Sequence, residues 1–261
     1  MKLNAKILTL ILFVLLISHL SAQDGNFNND PEVKFQKDVP SFRLGLHFSP
    51  NISWLGLNTT GYEKNGVRLG FAYGISTEFF LAKNYLFSTG FNINNIGGNL
   101  KYEGVYDNAG AVSASAVKQN IKINYIDIPL TLKLRTNEIG YMTYYGNFGF
   151  VAGIKYSSKT DYEYVDLNSI KKTDVNNTSN ISFFNMNLVV GGGAEYNLSG
   201  NTNIMFGVSY HNGFVNVMKD KTHQLNPLGK ATIDSNGKAV YTDKEVNATL
   251  NYFSLDLGIY F

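Results

Sequence analysis

The 261-residue chain contains no cysteine. Disulfides, thiolate metal sites and cysteine nucleophiles are thereby excluded. A lipoprotein anchor is excluded as well, because lipid attachment requires a cysteine after the signal. Charged residues are scarce, 16% of the chain, and leave a formal net charge of only +2. So balanced a surface offers no field to draw nucleic acid or an acidic ligand. Beyond residue 20 no apolar run approaches the roughly 20 residues that a membrane helix needs, which excludes a bundle of such helices.

Aromatic residues, in contrast, are abundant. Tyrosine (17) and phenylalanine (18) dominate, and glycine numbers 25. Hydrophobic residues make up 44% of the chain, yet the mean hydropathy is only -0.11. Apolar and polar residues are therefore interleaved rather than massed. That mixture belongs to a β protein with polar loops.

The N-terminus reads as a targeting segment. Lys2 and Lys6 give a basic start, Ile7 to Ile17 is almost unbroken apolar sequence, and Ser21 and Ala22 are small. This predicts a signal peptide over 1–22, cleaved after Ala22; an uncleaved anchor is the alternative, against which the run is short. Residues 23–41 are rich in Asn, Asp and Lys without a period, and read as a flexible arm.

From Phe42 onward the period is two. Eight strands are expected, near 42–52, 67–81, 85–102, 119–135, 141–157, 181–198, 202–218 and 247–261. Strands two and three, four and five, and six and seven join through tight polar turns. The other connections, 53–66, 103–118, 158–180 and 219–246, are long. Short and long alternate, as the turns and surface loops of an outer-membrane barrel do. An even strand count puts both ends of the barrel in the periplasm.

The last strand shows the pattern most plainly. Phe253, Leu255, Leu257, Ile259 and Phe261 fall on one face, and Tyr252, Ser254, Asp256, Gly258 and Tyr260 on the other. An apolar strand closed by Phe261 looks like the insertion signal of bacterial outer-membrane barrels. The same parity in every other strand gives a lipid face, for example Phe42, Leu44, Leu46 and Phe48, and a face of small residues toward the lumen. Tyr85, Tyr144, Tyr156 and Tyr196 fall where an aromatic girdle belongs. Gly97-Gly98 breaks the alternation and predicts a bulge.

Parity also turns charge inward: Arg43, His47, Arg68, Glu78, Asp127, Lys133, Arg135, Lys155, Glu195, His211 and Asp256. Arg43, Glu78, Lys133, Arg135, Glu195 and Asp256 are expected to form a lumen charge network. Arg43 would pair with Glu78 on the neighbouring strand, and Asp256 would face Arg43 across the seam between the last and first strands. Opposite charges in a dry lumen must pair, since unpaired buried charge is costly. An eight-stranded barrel has room only for its own side chains, which argues against a wide pore.

Catalytic patterns are sparse. His211 is the candidate base toward the extracellular half of strand seven, with Ser209 its neighbour on the lumen face but no strained turn to present the serine, and His47 and His223 fare no better. Asp161, Glu163 and Asp166 lack the dense spacing of a calcium loop. Gly191-Gly192-Gly193 is not a phosphate loop, because strand parity runs through it. No cofactor and no metal is implied.

Strand four reads Tyr125-Ile-Asp-Ile-Pro-Leu-Thr-Leu-Lys-Leu134. It resembles the Tyr-Ile-x-Ile-Pro-Leu-x-x-Lys segment of PorT-like proteins, small outer-membrane barrels of Bacteroidetes. Phe148-Gly-Phe-Val-Ala-Gly153 and Val190-Gly-Gly-Gly-Ala194 are similar to the next two strands of that family. The resemblance spans residues 40–261 and implies an outer-membrane barrel; founding members resemble accessory parts of protein secretion and gliding machinery.

The expected protein is an all-β, eight-stranded antiparallel transmembrane barrel over 42–261, integral to the bacterial outer membrane, non-enzymatic, with a side-chain-filled lumen. It would act through its loops or its arm as a structural or interaction protein. Its partners would be outer-membrane lipid, the barrel-insertion machinery, and secretion-machinery proteins or surface glycans, with no nucleic acid. A narrow porin and a lipid-acting enzyme using His211 are the alternatives.

Overall fold

A computed structural model describes residues 41–108 and 111–261. The expected signal peptide, and all of the expected arm but its last residue, lie outside the described residues. Eight long strands follow: β1 (Phe42–Leu57), β3 (Arg68–Ala82), β4 (Tyr85–Asn108), β5 (Ala111–Arg135), β6 (Met142–Tyr164), β8 (Phe184–Ser199), β9 (Thr202–Gly213) and β12 (Ala248–Tyr260). Four short strands lie in the connections: β2 (Tyr62–Lys64), β7 (Ile170–Asn176), β10 (Lys221–His223) and β11 (Tyr241–Glu245).

The long strands form a closed antiparallel ring in the order β1-β3-β4-β5-β6-β8-β9-β12. The seam between β12 and β1 runs from Gly45↔Tyr260 to Leu57↔Ala248. Closure removes the unpaired edges that an open sheet would expose. Tight links at 83–84, 136–141 and 200–201 gather at one end of the ring, the turn end. Links at 58–67, 165–183 and 214–247 gather at the other, the loop end.

Of residues 103–118, expected as a long loop, 103–108 and 111–118 are instead ladder. The β4–β5 pairing continues without interruption from Lys101↔Lys118 to Asn108↔Ala111. Small residues at Ser113, Ala114, Ser115 and Ala116 hide the period in sequence, while the backbone bonds are made regardless of side chain. β6 likewise runs on to pair Tyr164 with Val117. β4, β5 and β6 have 24, 25 and 23 residues. A tilted strand crosses a bilayer in roughly 9–11, so more than half of each stands beyond the belt.

Gly97-Gly98 is no bulge either, since the register with Lys122 and Ile121 continues through it. Glycine is required there because β1 comes close. A Cβ on Gly98 would lie 2.8 Å from both Leu55 Cγ and Leu55 N. The β5–β6 irregularity falls at Asn124/Tyr125. The β4 ladder is interrupted between Leu130 and Asp127, where Pro129 has no N–H to give.

The outward face is apolar. Along β1, Phe42, Leu44, Leu46 and Phe48 are about half exposed while Arg43 is buried. The same alternation recurs on β12, where Phe253, Leu255, Leu257 and Ile259 face out and Ser254 and Tyr260 face in. Each such side chain left in water forgoes about 1.5–3 kcal/mol, so a continuous belt requires an apolar solvent. Aromatic rings bound it. At the turn end Tyr141 and Tyr196 lie 6.1 Å apart. At the loop end Trp54, Tyr210 and Phe253 cluster, with Phe253 at 5.7 Å from Trp54 and 4.8 Å from Tyr210.

Candidate functional site

The interior is stacked in layers along the barrel axis, each set by the inward parity of the strands. Nearest the turn end is a charge cluster. Arg43 lies directly across from Glu78 in the β1–β3 ladder, and its Nε donates to Glu78 Oε2 at 2.7 Å. Its Nη1 and Nη2 donate to Glu195 on β8 at 2.9 and 2.6 Å. Lys133 Nζ lies 2.8 Å from Glu78 and 2.5 Å from Glu195. Arg135 is 3.4 Å from Glu195. Glu78 and Glu195 are 1% and 0% exposed, so water compensates neither charge. Tyrosine rings line the cluster, with Arg43 4.5 Å from the Tyr260 centroid and Lys133 4.2 Å from that of Tyr145.

Asp256 is absent from this cluster, contrary to the expectation that it faces Arg43. β12 ends level with Leu44, whose O accepts from Phe261 N at 2.9 Å. Asp256 therefore falls between the rungs His47↔Gly258 and Asn51↔Ser254, well above Arg43. There it accepts from Ser209 Oγ at 2.6 Å.

The middle layer is polar and nearly filled. Ser76 Oγ and His47 Nδ1 are 2.9 Å apart, and Asn94 Nδ2 donates to Asp127 at 2.7 Å. The remaining cavity is about 120 Å³. The Ser209–His211 pair does not form. Ser209 is held by Asp256, while His211 Nε2 lies 3.3 Å from Ser254 Oγ and its ring stacks on Tyr252 at 4.0 Å. The Ser209 hydroxyl is directed to Asp256 on the adjacent strand β12 and not to His211.

The third layer is apolar and closes the loop end. Leu55, Ile96, Leu100, Ile121, Ile123 and Leu250 project from the strands, and Ile181, Val217, Met218 and Val246 descend from the connections onto them. Ten such side chains at or near full burial exclude water from the mouth of the ring. Lys155, 6% exposed, donates from Nζ to the carbonyls of Thr178 and Ile181 and so ties the 165–183 connection over the opening. The apolar layer was not anticipated. Its signal is present in sequence, because the lumen-parity positions of β1, β4 and β5 change from polar to Leu and Ile at their loop ends.

Beyond that layer the connections fold into a cap holding a second chamber of about 260 Å³. Tyr62, Tyr102, Tyr162 and Tyr241 wall it, with Gln119, Asp220 and His223. Burial pushes the Asp220 carboxyl up to about 6 and holds His223 below its ordinary value. Burial likewise moves Tyr62 and Tyr162 up to about 12. These residues are scattered in sequence over two connections and the extensions of three strands, so no local pattern announces them. The acidic residues weighed for calcium do not converge: Asp161 binds Lys122 at 2.7 Å, and Asp166 binds Lys230 at 3.1 Å.

The outer membrane protein beta-barrel domain family matches residues 22–219. No curated protein matches the chain. Among solved structures, neisserial surface protein A is 11% identical with a TM-score of 0.41, over 85% of this chain and 96% of its own. OprG from Pseudomonas aeruginosa is 12% identical with a TM-score of 0.37, over 84% and 94%. Ail, the attachment invasion locus protein of Yersinia pestis, is 11% identical with a TM-score of 0.32, over 84% and 97%. With the family match spanning most of the closed ring and the apolar belt around it, the chain belongs to the outer membrane protein beta-barrel domain family and is an integral protein of the bacterial outer membrane.

Proposed function

We propose that this protein is a sealed, non-enzymatic barrel that serves as a binding protein, presenting the cap at its loop end outside the cell. The observation that carries this reading is the double closure of the lumen. The charge cluster blocks the turn end and the apolar layer blocks the loop end, with only about 120 Å³ between them. A solute would have to break buried ion pairs and displace packed Leu and Ile to pass. The short turns and the start of β1 then lie in the periplasm, where the 23–41 arm meets envelope partners. Lipid surrounds the belt, and the last strand from Phe253 to Phe261 is the segment offered to the barrel-insertion machinery.

The Tyr125–Leu134 segment supports the finer placement among PorT-like proteins of Bacteroidetes, and with it secretion-machinery proteins or surface glycans as partners. The cap is the part of the chain built for contact, since β4, β5 and β6 extend well past the belt.

The absence of native cysteine provides a direct test of presentation. Leu228→Cys sits in the 214–247 connection of the cap, where the side chain is 87% exposed. Asn201→Cys sits in a tight turn at the other end. A membrane-impermeant maleimide is expected to label the first on intact cells and the second only after permeabilisation. The reverse pattern would overturn the proposed orientation.

A further inference from the structure

The cap chamber is built around an unpaired negative charge. Tyr62 and Tyr102 lie parallel at 4.9 Å and 12°. Tyr102 stacks on His223 at 5.6 Å, and His223 lies 4.6 Å from Tyr241. These rings form one continuous wall, with Tyr162 completing the enclosure. Asp220 sits among them, close enough that its charge acts on the phenols of Tyr62, Tyr102, Tyr162 and Tyr241 alike.

No cation answers that carboxylate. Among the described residues its side chain makes no hydrogen bond and no ion pair, and burial is the only influence on its titration. The neighbouring Lys221 also borders the chamber, and the ion pair it makes is with Asp243, 3.9 Å from its Nζ. Gln119, only 3% exposed, lines the same chamber with its Nε2 donor unpartnered. His223 Nδ1 is buried and unpartnered as well. Burying the Gln119 amide donor without a partner, and half-burying a carboxylate without a cation, both cost free energy. Each group has a complement in a ligand. The carboxylate and the electron-rich ring faces attract a cation, and the amide N–H needs an oxygen.

We propose that the cap chamber binds a small organic ammonium ion that carries a hydrogen-bond-accepting oxygen, such as an amino alcohol. The ammonium lies against Asp220 and the tyrosine faces, and the oxygen accepts from Gln119 Nε2. Tyr241, half exposed, marks the mouth. At about 260 Å³ the chamber suits a single small molecule, not several units of a polymer. This inference rests on the cap being a binding element, as proposed above.

The test uses the full mature chain in an uncharged polyoxyethylene detergent, which contributes neither ammonium nor sugar. Choline and ethanolamine are titrated calorimetrically, with glucose as the neutral polyol. Saturable binding of at least one ammonium probe is expected, with glucose at least tenfold weaker. Asp220→Asn is expected to weaken the ammonium probe at least tenfold, with heat-modifiable migration reporting that the barrel has folded. Should that variant not fold, Tyr241→Leu at the mouth serves instead, with at least a threefold loss expected. No saturable heat from either ammonium probe, equal binding of glucose, or unchanged binding in the folded variant would each overturn the inference. Labelling of the cap on intact cells is measured separately, so a chamber without ligand and a cap facing the wrong side are distinguishable.

Discussion

Arg43 and Glu195 stand 152 residues apart in the chain and meet as a fork, Nη1 donating to Oε2 at 2.9 Å and Nη2 to Oε1 at 2.6 Å. The pair joins the first strand of the ring to β8 across the lumen. A bidentate pair of this kind fixes geometry as well as charge. Its value to stability lies in what is left behind when one member is removed, because the desolvation cost of the other has already been incurred.

Glu195→Gln leaves Arg43, Lys133 and Arg135 facing Glu78 alone. The variant is expected to lose about 3–5 kcal/mol of stability, read as a lower urea midpoint for the loss of heat-modifiable migration. A midpoint equal to the parent's would show that the cluster contributes nothing to holding the ring.

How far the sequence disclosed this cluster follows from how it is built. Arg43, Glu78, Lys133 and Glu195 meet because inward parity and a location near the turn end are both visible in a strand's own residues. Asp256 was misplaced because its height depends on the β12–β1 register. That register places Tyr260 against Gly45 and so leaves Arg43 beyond the last rung. Period two determines which face a residue takes and says little about stagger. The cap chamber was hidden for a different reason. Tyr102 and Tyr162 stand on the extensions of β4 and β6, and they meet Tyr62, Asp220 and Tyr241 only through tertiary folding of connections that have no period of their own.

Lys155 tests the tether over the loop end. Lys155→Met keeps the length of the side chain but leaves the carbonyls of Thr178 and Ile181 without their donor. A local loss of about 1–3 kcal/mol is expected. Proteolysis within 165–183 should accelerate several-fold while the urea midpoint of the barrel stays close to the parent value. Unchanged proteolysis would remove the tether from the account.

Gly98→Ala separates close approach from bulge. The added Cβ would meet Leu55 at 2.8 Å, so β1 must move away and about 1–3 kcal/mol is expected to be lost. A neutral or stabilising effect would show that the β1 contact is looser than the distances state.

The pH dependence of the cap follows from Asp220, whose carboxyl rises from 3.8 to about 6 through burial. The folded cap holds this proton more tightly than the unfolded chain does. Its contribution is therefore complete below pH 3.8 and is lost as pH rises through about 6. His223 acts in the opposite sense. Its folded value lies below 6.5, so the cap loses stability as pH falls through that value. Asp220→Asn is expected to slow amide hydrogen exchange in the cap at pH 7.5 and to change it little at pH 4. An equal effect at both pH values would contradict burial of the charged form.

Single-channel recording of the purified protein in planar lipid bilayers bears most directly on the sealed barrel. With the charge cluster at one end and the Leu55, Ile121 and Leu250 layer at the other, no discrete conductance steps are expected from the parent chain. None are expected from Glu195→Gln either, since the second seal remains. Reproducible steps from the parent protein, scaling with the amount inserted, would contradict the closed lumen and restore the reading of a narrow channel.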